Sequence, residues 1–174
     1  HKHFMSKEIA QQPSVIGEAL KHYLTEDGSD INLPIDIDFA NIERLTMVAC
    51  GTAFYACMTA KYWFEQLAAL PVEIDIASEF RYRDPVIVPG TAALFVSQSG
   101  ETADTLAALR FCEGKADKIL SVVNVTTSSI ARESDVALPI LAGTEIGVAS
   151  TKAFTCQLTV LLILALKAAK VRGK

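Results

Sequence analysis

Short apolar runs that alternate with helical stretches, from Leu45 onward, limit the folds open to this sequence more than any other feature. The runs are continuously apolar, as strands buried on both faces are. Strands separated by helices predict right-handed crossovers and therefore a parallel sheet of about five strands. The candidate strands are Thr46–Cys50, Val72–Ile76, Ala93–Ser97, Ile119–Val123 and Val136–Ile140.

The N-terminal segment predicts two helices ahead of the first strand. A helical pattern runs from Phe4 to Gln11, and Pro13 fits the first turn of a second helix that extends to Leu24. The stretch 25–34 is rich in Asp and Gly and predicts a loop. We therefore expect residues 1–34 to form a linker and helical extension, and residues 35–174 to form one α/β domain.

Two of the later helices differ in how much of their surface is apolar. In the helix after the first strand, one face carries small and apolar residues, which predicts close packing on the sheet. These residues are Ala53, Ala56, Cys57, Ala60, Phe64 and Leu67. The last helix, about Thr151 to Val171, is apolar nearly all round. We expect it to be buried on two sides, against the sheet and against a second domain or subunit.

Charge and hydropathy argue against two classes of partner. The net charge of −4 and the pI near 5.4 disfavour nucleic-acid binding, which needs clustered Lys and Arg. The longest apolar run, Val160–Leu166, is far shorter than the roughly 18 residues of a membrane span. We therefore expect neither a nucleic acid nor a membrane as a partner.

The cysteines and histidines limit the chemistry of the domain. The four cysteines lie far apart and form no CxxC pair, which favours reduced thiols in a cytoplasmic protein. The histidines all lie at or before His22, so the body of the domain has no imidazole for a catalytic triad or a metal site. We expect no metal and no cofactor. A chain that begins with His1 also suggests a piece of something longer.

The loop Ser97–Thr102 is the sharpest functional signal in the sequence. Its hydroxyls at Ser97, Ser99 and Thr102 surround Gly100, at a point where a strand turns into a helix. Free N–H groups at a helix N-terminus favour an anion, and Gly100 permits a close backbone approach. Because the loop holds no Lys or Arg, it suits a monophosphate better than a triphosphate, and it lacks the Walker pattern.

Helix capping explains the same loop without a ligand. In that interpretation Ser99 or Thr102 caps the next helix, and Glu101 complements the helix dipole. The bare pattern does not decide between capping and anion binding. The aligned turn Cys50-Gly51-Thr52-Ala53 favours binding, because Thr52 adds a hydroxyl, although Thr52 could equally be an N-cap. We interpret Cys50 as a buried residue at a strand end, since no His base is available to it.

A third loop, residues 143–152, precedes the last helix. Glycines at positions 143 and 147 would let it fold over a ligand. Glu145 and Lys152 could act as an acid and a base. An exposed loop carboxylate and an ion pair at the helix start explain these two residues more simply.

At these residues the sequence resembles the isomerase region of the glucosamine-6-phosphate synthases, within the wider sugar isomerase (SIS) family. The matching strings are ACGTA at 49–53, IASEFRYR at 76–83, SQSGETADTL at 97–106 and GTEIGVASTKAFTCQLTVL at 143–161. Residues 1–13 resemble the segment that joins the glutaminase domain of those enzymes to the isomerase region. The resemblance spans essentially the whole chain and implies a flavodoxin-like, doubly wound three-layer sandwich.

The resemblance also implies which residues hold the substrate. It assigns the sugar phosphate to Thr52, Ser97, Gln98, Ser99 and Thr102, and it places the backbone of Val148 and Ser150 near the sugar. Many relatives carry Ser at the position of Ala53, where this chain can offer only a backbone N–H.

The family implies a division of labour between domains. Its enzymes make glucosamine 6-phosphate and glutamate from fructose 6-phosphate and glutamine, with two SIS domains in tandem and as homodimers. This chain resembles the first SIS domain, whereas the catalytic residues belong to the second and to the glutaminase domain. We therefore expect no catalytic residue here. The alternatives are a sugar-phosphate sensor domain of a regulator and an oligomerisation module with a vestigial loop.

Overall fold

A single parallel sheet forms the centre of the computed structural model, which describes residues 1–174. The elements, in chain order, are α1 Phe4–Tyr23, β1 Arg44–Ala49, α2 Thr52–Ala68, β2 Val72–Ile76, α3 Ala77–Phe80, β3 Thr91–Ser97, α4 Ala103–Cys112, β4 Lys118–Val123, α5 Ser129–Glu133, β5 Val136–Pro139 and α6 Lys152–Val171. All five predicted strands are present, with ends within two residues of those expected. The prediction of a five-stranded parallel α/β fold is confirmed.

The strand order β2-β1-β3-β4-β5 is that of a doubly wound sheet. All four neighbouring pairs are parallel, and in the register Met47 of β1 lies between Ile74 of β2 and Leu94 of β3. The chain winds outward in opposite directions from β1 and β3. Such a reversal opens a crevice at the carboxyl ends of the two strands, where ligands of these folds bind.

Two hydrophobic cores lie on opposite faces of the sheet. Alternate residues of β3 supply each of them: Leu94 and Val96 face the larger core, and Phe95 faces the smaller one. The larger core contains α2 and α6, and the smaller core contains α3, α4 and α5. Strands buried on both faces explain why their sequences are continuously apolar.

Helix α2 packs on the sheet through small residues, as predicted, with one exception. Ala56, Ala60 and Phe64 are fully buried, but Leu67 is 39% exposed. Ala68, four residues after Phe64, takes the buried place, and the helix ends there at the left-handed residue Ala69. The prediction of a buried Leu67 was wrong because two positions compete for the core face at the last turn.

The N-terminal segment is one helix, not the two that were predicted. Pro13 lies inside α1, where it cannot donate a backbone hydrogen bond to the carbonyl of Ile9. The Gln12 side-chain amide donates to that carbonyl instead, at 3.1 Å. Helix α1 then packs on α6, and its last residue, Tyr23, donates its hydroxyl to Pro139 O at 2.6 Å. The division of the chain at residue 34 stays a prediction.

Helix α6 is covered largely from within the chain. Eleven of its residues are buried, against the sheet, α2 and α1. Helix α1 covers part of the apolar surface of α6, and the expected contact with a second domain or subunit stays a prediction. By length and composition α6 could cross a membrane, which the count of consecutive apolar residues did not reveal. Its burial is that of a core helix.

Candidate functional site

A cavity of about 300 Å³ opens at the carboxyl ends of β1 and β3, in the crevice between them. We call it the cradle cavity. Its lining residues are Cys50, Gly51, Thr52, Ala53, Val96, Ser97, Gln98, Ser99, Thr102, Glu145, Gly147, Val148, Ser150 and Gln157. They come from the start of α2 and the turn before it, from the end of β3 and the loop after it, and from α6 and the loop before it. Three segments distant in sequence therefore meet at one site.

The residues predicted to hold the substrate all lie around this cavity. They are Thr52, Ala53, Ser97, Gln98, Ser99, Thr102, Val148 and Ser150. That they share one cavity is an observation, whereas their contact with a ligand stays a prediction. Sequence reasoning did not select Gln157, which lies in the interior of an apolar helix and follows no strand.

Hydroxyl groups shape the loop between β3 and α4. The Ser97 hydroxyl lies 2.9 Å from that of Thr102 and accepts a hydrogen bond from the Gly100 N–H at 3.0 Å. The exposed Ser99 hydroxyl accepts from the Glu101 N–H at 3.2 Å. These bonds close the loop on itself, with Ser97 buried and Ser99 open to the cavity.

The capping interpretation does not fit these hydroxyls. Thr102 is the N-cap of α4, but its side chain makes no capping bond because it contacts Ser97. Glu101 accepts at 2.7 Å from the backbone N–H of Ser129, the first residue of α5, and so does not serve α4. That bond, together with one from the Ser129 side chain, lowers the pKa of Glu101.

Helix α2 likewise begins without a side-chain cap. Its N-cap is Gly51, with φ +61°, so the alternative that Thr52 is the N-cap was wrong. The first N–H groups of a helix have no partners within the helix. The N-termini of α2 and α4 lie at the cradle cavity, which Thr52, Ala53 and the N-cap Thr102 line, and the positive ends of their dipoles favour an anion there.

Gly100 has a different role from the one that was predicted. Its φ is +68°, and a Cβ built on it would lie 1.9 Å from the Ser128 hydroxyl oxygen. Its N–H already donates to Ser97. The missing side chain thus makes room for the turn before α5, and the backbone N–H of Gly100 is not free for a ligand.

Glu145 caps α6. Its carboxylate accepts from the backbone N–H groups of Thr151, at 3.1 Å, and Ala153, at 3.0 Å. It is half-buried, and it forms no ion pair with Lys152. Lys152 is buried and donates to Gln11 Oε1 of α1 at 3.0 Å. An exposed Glu145 and an ion pair at the helix start were both wrong, because the carboxylate turns to the free N–H groups of the helix.

A carboxylate of α1 holds the same loop from outside. Glu8 is 2% exposed and accepts from Ile146 N at 2.6 Å and from Gly147 N at 3.0 Å. A Cβ on Gly147 would meet Glu8 Oε2 at 2.6 Å. The contact joins residues 138 positions apart, so no local pattern in the sequence could reveal it. Helix α1 thereby fixes the backbone next to Val148.

The thiols are poor nucleophiles in this setting. Burial raises the pKa of Cys57 and Cys112 to about 12 and that of Cys156 to about 11. Cys50 follows the end of β1 and is half-buried rather than buried, and its sulfur lies 3.8 Å from the Thr105 hydroxyl oxygen. It lines the cradle cavity without a histidine to activate it.

A larger cavity of about 700 Å³ lies beside the first. Asn124 lines this side cavity, donating to Gly143 O at 2.7 Å and accepting from Ala142 N at 3.0 Å. Gln98 and Glu145 border both cavities. The cradle cavity is the stronger candidate despite its smaller size, because the hydroxyls and the two uncapped helix N-termini face it.

The lining of the cradle cavity contains no Lys or Arg and a single carboxylate, Glu145, which is bonded to α6. An anion there would be held by hydroxyls and helix N–H groups. The geometry therefore suits the binding of an anion.

A family model described as "SIS domain" matches residues 38–167. The glutamine--fructose-6-phosphate aminotransferase (isomerizing) of Brucella abortus biovar 1 is 60% identical over an alignment of 174 positions, which covers 99% of this chain and 29% of that protein. The chain therefore spans less than a third of the length of the curated relatives that it matches.

Solved structures show the same similarity. The C-terminal domain of glucosamine-fructose-6-phosphate aminotransferase from Francisella tularensis is 45% identical with a TM-score of 0.95, and the match covers 99% of this chain and 49% of that one. Glucosamine-6-phosphate deaminase from Thermotoga maritima shares the fold, with a TM-score of 0.76 at 21% identity. That match covers 97% of this chain and 49% of the deaminase chain.

Proposed function

The chain belongs to the SIS domain family, and from this membership we propose that its cradle cavity binds the phosphate group of a sugar phosphate. The observation that carries the proposal is the pair of uncapped helix N-termini, of α2 and α4, that converge on a loop of hydroxyls. Each N-terminus favours an anion, and the hydroxyls of Ser97, Ser99 and Thr102 can donate to phosphate oxygens. A monophosphate dianion matches this set of donors without a cationic side chain.

The substrate we propose is fructose 6-phosphate, with glucosamine 6-phosphate as the product. The names of the relatives supply these candidates, since the aminotransferases similar to this chain act on fructose 6-phosphate. The high identity over nearly the whole chain favours this assignment over a sensor domain of a regulator. In the full enzyme, glutamine would supply the amino group and leave as glutamate.

Within that enzyme, we propose that this chain anchors the substrate and that other domains transform it. The chain spans 29% of the length of its relatives, which leaves room for a second SIS domain and a glutaminase domain. Pairing as a homodimer and a cytoplasmic location, with the four cysteines free, belong to the same proposal.

Calorimetry tests the binding claim directly. We expect fructose 6-phosphate to bind the chain, and the double variant Ser99→Ala/Thr102→Val to bind at least tenfold more weakly, because two donors to the phosphate are lost. Thr126→Val, which removes a hydroxyl from the side cavity, is the matched control and should leave the affinity unchanged. Equal affinities for all three proteins, or weakening by the control alone, would contradict the proposal.

A further inference from the structure

One residue that lines the cradle cavity carries a buried side-chain oxygen without a hydrogen-bond partner. Three side-chain oxygens in the molecule are buried without a hydrogen bond: those of Thr91 and Ser121, and the amide oxygen of Gln157. Gln157 alone of these lines the cradle cavity. Its residue is 2% exposed, so bulk water does not satisfy the amide. Buried polar groups are rarely left unpaired, and an exception at a cavity wall marks a place for a ligand.

Gln157 belongs to a different element of the fold from the groups proposed to bind the phosphate. It lies in α6, five residues after Lys152, whereas the hydroxyls and uncapped N-termini belong to the loops before α2 and α4. The Glu145 carboxylate accepts from the backbone N–H groups at the N-terminus of α6, and it also lines the cradle cavity. The carboxylate of Glu145 and the unpaired amide oxygen of Gln157 are both hydrogen-bond acceptors, which disfavours an anion beside them and favours a hydrogen-bond donor.

A carbonyl oxygen accepts hydrogen bonds and cannot donate them. The phosphate dianion of a sugar phosphate carries no hydrogen, so it cannot satisfy such an atom, but a sugar hydroxyl can. We propose that the Gln157 amide oxygen accepts a hydrogen bond from a hydroxyl of the bound sugar, while the phosphate lies at the α2 and α4 N-termini. This inference rests on the proposed function and adds a residue that selects hydroxylated phosphate esters over inorganic phosphate.

The test compares two ligands on the same variants. The affinities of fructose 6-phosphate and of inorganic phosphate are measured for the unmodified chain and for Gln157→Met, which keeps an unbranched side chain of similar length. Gln157→Leu is a second replacement in case the first does not fold. Ser121→Ala is the control, because it removes a buried unpaired oxygen that does not line the cradle cavity.

We expect Gln157→Met to weaken fructose 6-phosphate binding about tenfold, with inorganic phosphate binding and the melting temperature kept, since an apolar replacement leaves no polar group unpaired. Ser121→Ala should leave both affinities unchanged. Equal weakening of the two ligands would overturn the inference, because Gln157 would then support the phosphate or the cavity wall. Unchanged affinities would overturn it as well, although in both cases the proposed function would stand. Absence of binding to the unmodified chain would overturn both.

Discussion

Ser97 lies where β3 passes into the loop, and its hydroxyl joins both ends of that loop. It contacts the Thr102 hydroxyl and accepts from the Gly100 N–H, so the loop is shaped before any ligand arrives. Groups held in place in advance lose little entropy when a ligand binds. At this scale Gly100 only shapes the loop, whereas Ser97 both shapes the loop and lines the cradle cavity.

Gly100→Ala should destabilise the fold by about 2–4 kcal/mol, through strain at positive φ and overlap with the Ser128 side chain. Gly28→Ala is the matched control, because Gly28 has φ +69° with nothing within 4 Å. Urea unfolding gives the free energy of unfolding of each variant. The amount by which Gly100→Ala loses more than Gly28→Ala is the cost of the overlap with Ser128. When Ser128→Gly removes the overlapping side chain, Gly100→Ala should cost less free energy of unfolding. An equal loss for Gly28→Ala and Gly100→Ala would contradict this account.

Tyr23 makes a second prediction at the residue scale. Burial raises the pKa of its hydroxyl well above the ordinary value of about 10, so the folded state keeps the proton at a pH where the unfolded state loses it. Its bond to Pro139 O should make the unmodified chain about 1 kcal/mol more stable than Tyr23→Phe near pH 7.

That advantage should be complete below pH 10 and fall as the pH rises further, by up to about 1.4 kcal/mol per pH unit. Urea unfolding of both proteins between pH 7 and pH 11 measures the difference in their free energies of unfolding. The buried cysteines are the same in both proteins, so their ionisation does not contribute to this difference. A difference that does not change with pH would show that Tyr23 ionises equally in the two states.

At the scale of elements, the loop before α6 depends on two carboxylates from opposite sides. Glu145 joins it to α6, and Glu8 joins it to α1. Both satisfy backbone N–H groups of a segment that has no regular structure, which is what fixes the backbone around Val148. The N-terminal helix thus reaches the candidate site although none of its residues lines the cradle cavity.

Glu8→Ala should free this loop, because Ile146 N and Gly147 N lose their acceptor. We expect hydrogen exchange of amides 146–151 to accelerate at least tenfold, and binding of fructose 6-phosphate to weaken. Glu8→Gln keeps one acceptor oxygen and should recover part of the protection. Glu18→Ala, at an exposed position of α1, is the control. Unchanged hydrogen exchange of these amides in Glu8→Ala would contradict the claim that Glu8 holds the loop.

The elements were predictable where the signal is local. Continuous apolar runs identified β1 to β5, and the 3.6-residue period identified α2, since both patterns follow directly from burial. The continuity of α1 through Pro13 was not predictable, because it depends on the Gln12 side chain and on packing against α6. The partners of Glu8 lie 138 positions away along the chain, beyond any local pattern. The eight site residues came from the turn pattern and the family resemblance together, and the structure gathers them around one cavity.

At the scale of the whole molecule, we propose that this chain holds a sugar phosphate and that other domains convert it. The buried thiols have raised pKa values, and no histidine follows His22. The carboxylate of the cradle cavity is engaged with α6.

The 174-residue chain should therefore form no glucosamine 6-phosphate from fructose 6-phosphate, with either glutamine or ammonia as the nitrogen source. Mass spectrometry of long incubations checks this, with a full-length aminotransferase as the positive control. Product that scales with the concentration of the chain would contradict the division of labour between domains.

Amide chemical shifts in a titration with fructose 6-phosphate test the central claim most directly, because they locate the ligand without a mutation. We predict that the largest changes fall on the amides of residues 52–53 and 102–105, at the N-termini of α2 and α4, with smaller changes at 147–150. Inorganic phosphate should reproduce the first set and not the second. Changes confined to residues 124–127 of the side cavity, or no changes at saturating sugar phosphate, would contradict the assignment of the cradle cavity as the phosphate site.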